Sequence, residues 1–192
     1  MLAKTELRQV LLLLPVGVMG LIAAGSAGAQ TSSSCAETDL PNPVVELIRA
    51  KFPGWRPRQF SDLGPDDRQL WVKAHANQCP GTAVGHFESP DRLSYAVLLI
   101  PQADPIGGYK LLVFSRNTTG EGYLGKLVDH WDDKAYSGVV ISRVPPGHYS
   151  DYEHSRIAVT TKLDSVVLEW IEKGATLYYW LAGRYKTVRV SG

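Results

Sequence analysis

The sequence lacks a strong excess of either charge, has few cysteines and contains no apolar run as long as a membrane-spanning helix. Its 192 residues include 20 Lys and Arg against 19 Asp and Glu, and no block of one sign stands out. That balance argues against nucleic acid and against an anionic membrane surface as main partners. The longest apolar run, residues 10–24, is shorter than the ~20 residues that a spanning helix needs.

Residues 1–29 are typical of a secretory signal peptide. Basic residues precede the apolar run, and Ala27-Gly28-Ala29 supplies the small residues of a cleavage site. We expect cleavage after Ala29, which leaves one globular domain over residues 30–192. That domain would have no net formal charge and no stable membrane insertion. The predicted location is therefore the periplasm or the outside of the cell.

The two cysteines, Cys35 and Cys79, both belong to the predicted mature chain. An even number of cysteines in an oxidising compartment indicates a disulfide bond. Closing a loop of about 45 residues should stabilise the fold by roughly 4 kcal/mol, because it lowers the chain entropy of the unfolded state. Two free thiols and a cysteine nucleophile are the alternatives.

Helical periodicity is confined to the first part of the mature chain. Residues 43–52 repeat apolar side chains at helical spacing, and a second helix is predicted from Pro65 to shortly before Cys79. From Thr82 onward, β-rich runs alternate with turn residues, at 83–87, 93–101, 109–115, 138–144, 156–161 and 164–172. We predict an α+β fold, in which two short N-terminal helices pack beside an antiparallel sheet of about six to eight strands ending in a hairpin. Residues 120–136 fit either a helix or an irregular loop.

Aromatic side chains crowd the predicted last hairpin, LYYWLAGRYKTVRV. A three-residue turn would place Tyr179 opposite Tyr185, whereas a two-residue loop at Ala182-Gly183 would place Trp180 opposite Tyr185. Tyr178 and Trp180 share one face of the predicted strand. They are either core residues or an exposed recognition patch, and they are our candidate partner-binding residues.

Two polar loops carry the most metal-like pattern. His148, Asp151 and His154 lie in one of them, and His130 lies beside carboxylates in the other. These are weak candidates for metal ligands, which together could build a small hydrolytic site. The plainer interpretation is two solvated polar loops, and we predict no metal.

Signals for cofactors and for nucleophilic catalysis are poor. GEGYLG at 120–125 matches a dinucleotide-binding pattern, but four residues separate it from the preceding strand, so a loop is expected and no cofactor is predicted. The sequence has no G-x-S-x-G or S-x-x-K motif. His86 and Glu88 share a predicted strand face, which is more often a surface contact than an acid–base couple.

The order CPGTAVGHF, SYAVLLIP, YKLLVFS and a closing YYW-x-x-G-x-Y resembles small exported bacterial proteins without an assigned activity. The resemblance spans about residues 75–190 and implies a fold and an export route, with no catalytic residue to carry over. We predict an exported, non-enzymatic binding module, whose partner is a protein (inhibitor-like or immunity-like) or a glycan of the cell envelope. The alternatives are a small metal-dependent hydrolase that uses residues 129–154, and a structural envelope component.

Overall fold

Strands dominate the protein. The computed structural model describes residues 40–76, 78–119, 122–134, 137–154 and 158–192. Of these residues, 46% lie in strands and 16% in helices. The predicted α+β class is therefore wrong, since the described residues form a mostly β protein with several antiparallel sheets.

Two helices lie where periodicity predicted them. Helix α1 spans Asn42–Lys51 and helix α2 spans Pro65–Ala74, with the single 3-10 turn Phe60–Asp62 between them. Each α-helix has proline in its first turn and basic side chains in its last, as the helix dipole favours. None of the helices in the described ranges is long and apolar enough to cross a membrane.

The strands of the described ranges number eleven. In chain order they are β1 (Trp55–Pro57), β2 (Thr82–Gly85), β3 (Ser94–Pro101), β4 (Tyr109–Arg116), β5 (Tyr123–Trp131), β6 (Val139–Val144), β7 (His148–Ser150), β8 (Ala158–Thr160), β9 (Ser165–Trp170), β10 (Gly174–Leu181) and β11 (Arg184–Ser191). The first sheet has the order β1-β3-β4-β5, and β2 also pairs with β3. The second sheet has the order β11-β10-β9-β6, and β7 pairs with β8 alone.

The two larger sheets pack face to face around an apolar core. Side chains from β3 and β4 meet side chains from β6, β9 and β10 there, among them Leu98, Leu111, Ile141, Leu168 and Tyr178. Helix α1 covers the outer face of the first sheet through Val44 and Ile48. Trp71 of α2 and the β7–β8 pair cover parts of the outer face of the second sheet. The protein is thus a β-sandwich with small elements on both outer faces.

Coverage on both faces explains why a single sheet was the wrong prediction. The run Ala96–Ile100 in β3 is buried at every residue. A strand with one solvated face alternates apolar and polar residues, whereas a strand covered on both faces does not. The continuous apolar run therefore indicated a layer on each side of β3, which one sheet beside two helices cannot supply.

Residues 120–136 were predicted to be either a helix or an irregular loop, but most of this segment is a strand. Residues Tyr123–Trp131 form β5, which pairs with β4 at the edge of the first sheet. The register shifts between Leu111 and Leu112, so β5 contains a β-bulge near Val128. Gly125 is needed in this strand, because a Cβ there would lie 2.7 Å from the ring of Phe114.

A buried arginine ties β1 to the start of β6. Arg58 is 1% exposed, and its guanidinium donates to the carbonyl oxygens of Ser137 (2.6 Å) and Val139 (2.8 Å). Burial lowers the pKa of Arg58 to about 10, so it stays charged at neutral pH. Gly81 packs against its backbone, where a Cβ would lie 2.3 Å from the Arg58 carbonyl oxygen. The Arg58 guanidinium, whose charge is held by backbone carbonyl groups, therefore has a structural role.

The predicted cleavage site and disulfide stay predictions. Ala29 and Cys35 fall outside the described residues. Cys79 lies half-buried, shortly after α2.

Candidate functional site

The aromatic hairpin has the two-residue loop. Strands β10 and β11 place Trp180 opposite Tyr185, with Ala182 and Gly183 as the loop. Both loop residues have positive φ, 51° and 82°, as a type I′ turn requires. The Trp180 and Tyr185 rings meet edge to face, with centroids 5.1 Å apart. The cross-strand aromatic pair predicted for this loop is confirmed.

Tyr178 points into the sandwich and lacks the exposed surface that a partner-binding role required. It is 5% exposed, and its hydroxyl donates to Oδ2 of Asp129. Tyr109 donates to the same oxygen at 3.0 Å. Burial, followed by the hydrogen bond to Asp129, raises the pKa of Tyr178. Trp180 is half-buried, so of the two candidates only Trp180 retains accessible surface.

The candidate metal ligands are not gathered into a site. His148 lies on β7 and contacts Thr160 Oγ1 through Nδ1 at 3.0 Å. His154 lies beside Asp151, with 3.3 Å between His154 Nδ1 and Asp151 Oδ1. His130 lies on β5, in a different sheet. Within the described ranges, no group of three His, Cys, Asp or Glu side chains is placed to hold a metal ion.

His86 and Glu88 do not face one another but have separate partners. The backbone N–H of His86 donates to Oδ2 of Asp164 at 2.8 Å, and Arg143 reaches Oδ1 of the same carboxylate at 3.2 Å. The Asp164 carboxylate is 7% exposed, so this cluster fixes the end of β2 to the start of β9. Glu88 instead pairs with Lys126.

Glu88, Lys126 and Trp180 converge between the hairpin and the first sheet. The Lys126 Nζ atom lies 2.6 Å from Oε2 of Glu88 and 4.6 Å from the centroid of the Trp180 ring. The Glu88 side chain is only 10% exposed, whereas that of Lys126 is 44% exposed. The ammonium therefore joins a buried carboxylate to an aromatic face, through a charge-assisted hydrogen bond and a cation–π contact.

Tyr185 completes this group from the hairpin side. Burial, followed by the charge of Glu88, raises the pKa of the Tyr185 phenol. Neither the Tyr185 hydroxyl nor Glu88 Oε1 makes a hydrogen bond of good geometry to any described residue, although both atoms are buried. Unpaired buried polar atoms are rare in folded proteins. Arg58 Nε and Ser165 Oγ are also buried without such a bond, but only in this group do two of these atoms belong to neighbouring side chains.

A polar cleft opens beside the group. Its volume is about 100 Å³, and its walls include Glu88, Arg92, Ser94, Ser115, Arg116 and Lys126. The hydroxyls of Ser94 and Ser115 lie 2.7 Å apart, joining β3 to β4. Within the described residues neither Arg92 nor Arg116 makes an ion pair with a carboxylate, and Arg116 Cζ lies 5.8 Å from the centroid of the Tyr123 ring. The cleft thus combines hydroxyl donors with two arginines whose charge is not neutralised by a carboxylate.

This arrangement suits binding of an anionic group. Arginine presents a planar fork of N–H donors that matches a carboxylate, and hydroxyls can donate to the same ligand. Lys126 contributes less to the net charge, because the Glu88 carboxylate already neutralises it.

Most of these residues gave no local signal in the sequence. Glu88 and Lys126 lie 38 residues apart and meet only through tertiary packing. Lys126 also lies in a segment that the sequence left open between helix and irregular loop, so its place in a strand was not predicted.

Comparison with known proteins adds no family. No protein-family model, no curated protein and no solved structure matches the chain.

Proposed function

We propose that the protein is an exported binding module whose cleft between β3, β4 and β5 recognises a carboxylate-bearing ligand. The observation that carries the proposal is the pair of arginines without a carboxylate partner, Arg92 and Arg116, at the mouth of a cleft floored by two serine hydroxyls. A charge-assisted, two-pronged contact between arginine and carboxylate is among the stronger polar interactions in proteins. The metal-dependent hydrolase gains no support from the described residues.

Trp180 is the aromatic contact that we assign to the partner. Its ring lies under Lys126 and against Tyr185, so it is held rigid while part of its surface stays accessible. Rigid, half-buried aromatic residues often dominate binding energy. Tyr178 has no part in this proposal.

A small-molecule titration tests the site directly. We expect acetate, added to the mature chain (residues 30–192), to shift the backbone NMR signals of Ser115 and Arg116 in a saturable way. Acetamide, which has the same shape without the charge, should not. The double variant Arg92→Gln with Arg116→Gln should lose the acetate response.

Lys162→Gln is the matched control for that titration. Lys162 is exposed in the turn between β8 and β9 and does not line the cleft, so its loss removes a positive charge without removing a cleft side chain. Equal shifts with acetate and acetamide, or an acetate response that survives in the double variant, would contradict the proposal.

Export and the disulfide have their own tests. Intact mass of the exported protein should correspond to a chain that begins at Gln30, and a retained Met1 would refute cleavage. Non-reducing peptide mapping should join the peptides of Cys35 and Cys79. Two thiols that alkylate without reduction would rule out the bond.

A further inference from the structure

The edge of the first sheet next to the cleft is unusually apolar. Strand β5 has nine residues and pairs only with β4 among the described strands, so its other edge presents backbone N–H and C=O groups. Leu124, Leu127 and Trp131 along it are 54%, 53% and 51% exposed. Lysine commonly protects such edges, but the Lys126 ammonium is turned to Glu88.

The bulge near Val128 limits how much of this edge can pair regularly. Bulged residues disrupt the ladder and increase the local twist. The regular part therefore covers Tyr123–Leu127, which is the half of β5 that borders the cleft. A partner strand has room for about five residues there, at the spacing of a β-strand.

Charge selects the direction of that partner strand. Tyr123, the first residue of β5, lies opposite Arg116, the last of β4, so the start of β5 is at the arginine end. An antiparallel partner would end there, and its terminal carboxylate would meet the cationic cleft. A parallel partner would bring its positively charged amino terminus to the same arginines.

We propose that β5 is extended by the C-terminal residues of a partner peptide, which lie antiparallel to Tyr123–Leu127 with the terminal carboxylate in the cleft. The backbone ladder supplies affinity, Leu124 and Leu127 contact alternate apolar side chains from opposite faces, and Arg92 and Arg116 select the free carboxylate. The inference rests on the proposed function and names the class of ligand for that cleft.

Fluorescence anisotropy with two labelled hexapeptides tests the assignment. Both peptides alternate valine and threonine and end in leucine, one with a free carboxylate and one with an amide. We expect the acid to bind at least about tenfold more tightly than the amide, as a lost charge-assisted contact implies. Arg116→Gln should abolish that preference.

Two equally exposed leucines provide a matched pair of variants. Leu127→Lys places a charge on the β5 edge and should weaken binding of the peptide with the free carboxylate by about tenfold. Leu181→Lys, at a side chain 54% exposed on β10, should leave binding unchanged. Hydrogen exchange of the amides of Tyr123–Leu127 should slow in the complex, which a purely ionic contact would not cause.

The possible failures are distinguishable. If acetate titrates the cleft but the acid and amide peptides bind equally, the carboxylate site stands and the peptide inference is wrong. If sedimentation shows a dimer that Leu127→Lys dissociates, the edge belongs to a second copy and the inference is wrong. If acetate itself has no effect, the proposed function and the inference fall together.

Discussion

Two tyrosine–carboxylate contacts join the β10–β11 hairpin to the other side of the sandwich, and they differ in how well their polar atoms are paired. In the inner contact, Asp129 accepts hydrogen bonds from Tyr178 and Tyr109, and its second oxygen accepts the N–H of His130. In the outer contact, the Tyr185 hydroxyl interacts with the Glu88 carboxylate, but the contact lacks the geometry of a regular hydrogen bond, and no other described residue bonds that hydroxyl or Glu88 Oε1.

The difference distinguishes a carboxylate with a structural role, Asp129, from one that is available to a ligand, Glu88. The half-buried Asp129 carboxylate has both oxygens hydrogen-bonded, so it stabilises one packing arrangement and has little left to offer a ligand. Glu88 instead holds Lys126 beside an open cleft, and part of its hydrogen-bonding capacity is unused. A poorly paired buried group lowers stability, and Glu88 is the one such carboxylate among the described residues that also lines a cleft.

The largest effect should come from removing the inner carboxylate. Asp129→Ala leaves the hydroxyls of Tyr178 and Tyr109 buried without an acceptor, and we expect the free energy of unfolding to fall by about 3 kcal/mol. Urea denaturation of the purified variant measures this loss.

Asp132→Ala is the control for that prediction. Its carboxylate is 70% exposed and pairs with Lys110 at 3.4 Å, a surface contact worth well under ~1 kcal/mol. Similar losses in both variants would mean that the inner contact is no more structural than a surface ion pair.

High pH should weaken both contacts. Burial raises the pKa of Tyr178 and of Tyr185, and the neighbouring carboxylate adds to each effect. A tyrosine in the unfolded chain loses its proton near pH 10, whereas these two keep theirs in the fold. The folded state then binds more protons, so stability is intact below about pH 10 and falls above it, by about 1.4 kcal/mol per pH unit for each tyrosine.

Urea denaturation between about pH 9 and pH 11 measures that slope. Tyr185→Phe should reduce the slope of the unfolding free energy against pH by up to about 1.4 kcal/mol per pH unit, which corresponds to one proton. Tyr178→Phe should do the same. A stability that does not change up to about pH 11 would contradict the burial of both phenols.

Much of the secondary structure could be predicted from the sequence, because the patterns that indicate helices and strands are local. Both helices have proline in the first turn, and β3 and β4 contain long runs of β-branched and aliphatic residues. Strand β1 was missed because Trp55–Pro57 is short, follows Pro53 by two residues and itself ends in proline, which predicts a break and not a strand. Strand β5 was missed because glycines and a bulge hide its alternation.

The site could not be predicted in the same way, because it depends on contacts between distant residues. The face that Tyr178 presents follows from how the second sheet packs on the first, which alternation alone does not determine. Arg92, Arg116 and Lys126 come from separate turns and strands, and each alone resembles an ordinary exposed base. Only the pairing of β4 with β5 and the approach of the hairpin bring them together.

The smallest effect, and the sharpest comparison, should come from deleting one hydroxyl at each contact. Tyr178→Phe removes the hydrogen bond that a buried tyrosine donates to the half-buried Asp129 carboxylate and should cost about 1 to 1.5 kcal/mol. Tyr185→Phe removes a buried hydroxyl whose contact with Glu88 lacks the geometry of a regular hydrogen bond, so stability should fall by less than about 0.5 kcal/mol or rise slightly. Tyr179→Phe, a half-buried tyrosine of the same strand as Tyr178, controls for the substitution itself. Equal losses at Tyr178 and Tyr185 would show that the outer contact is as well satisfied as the inner one, and would remove the reason for treating Glu88 as part of a binding site.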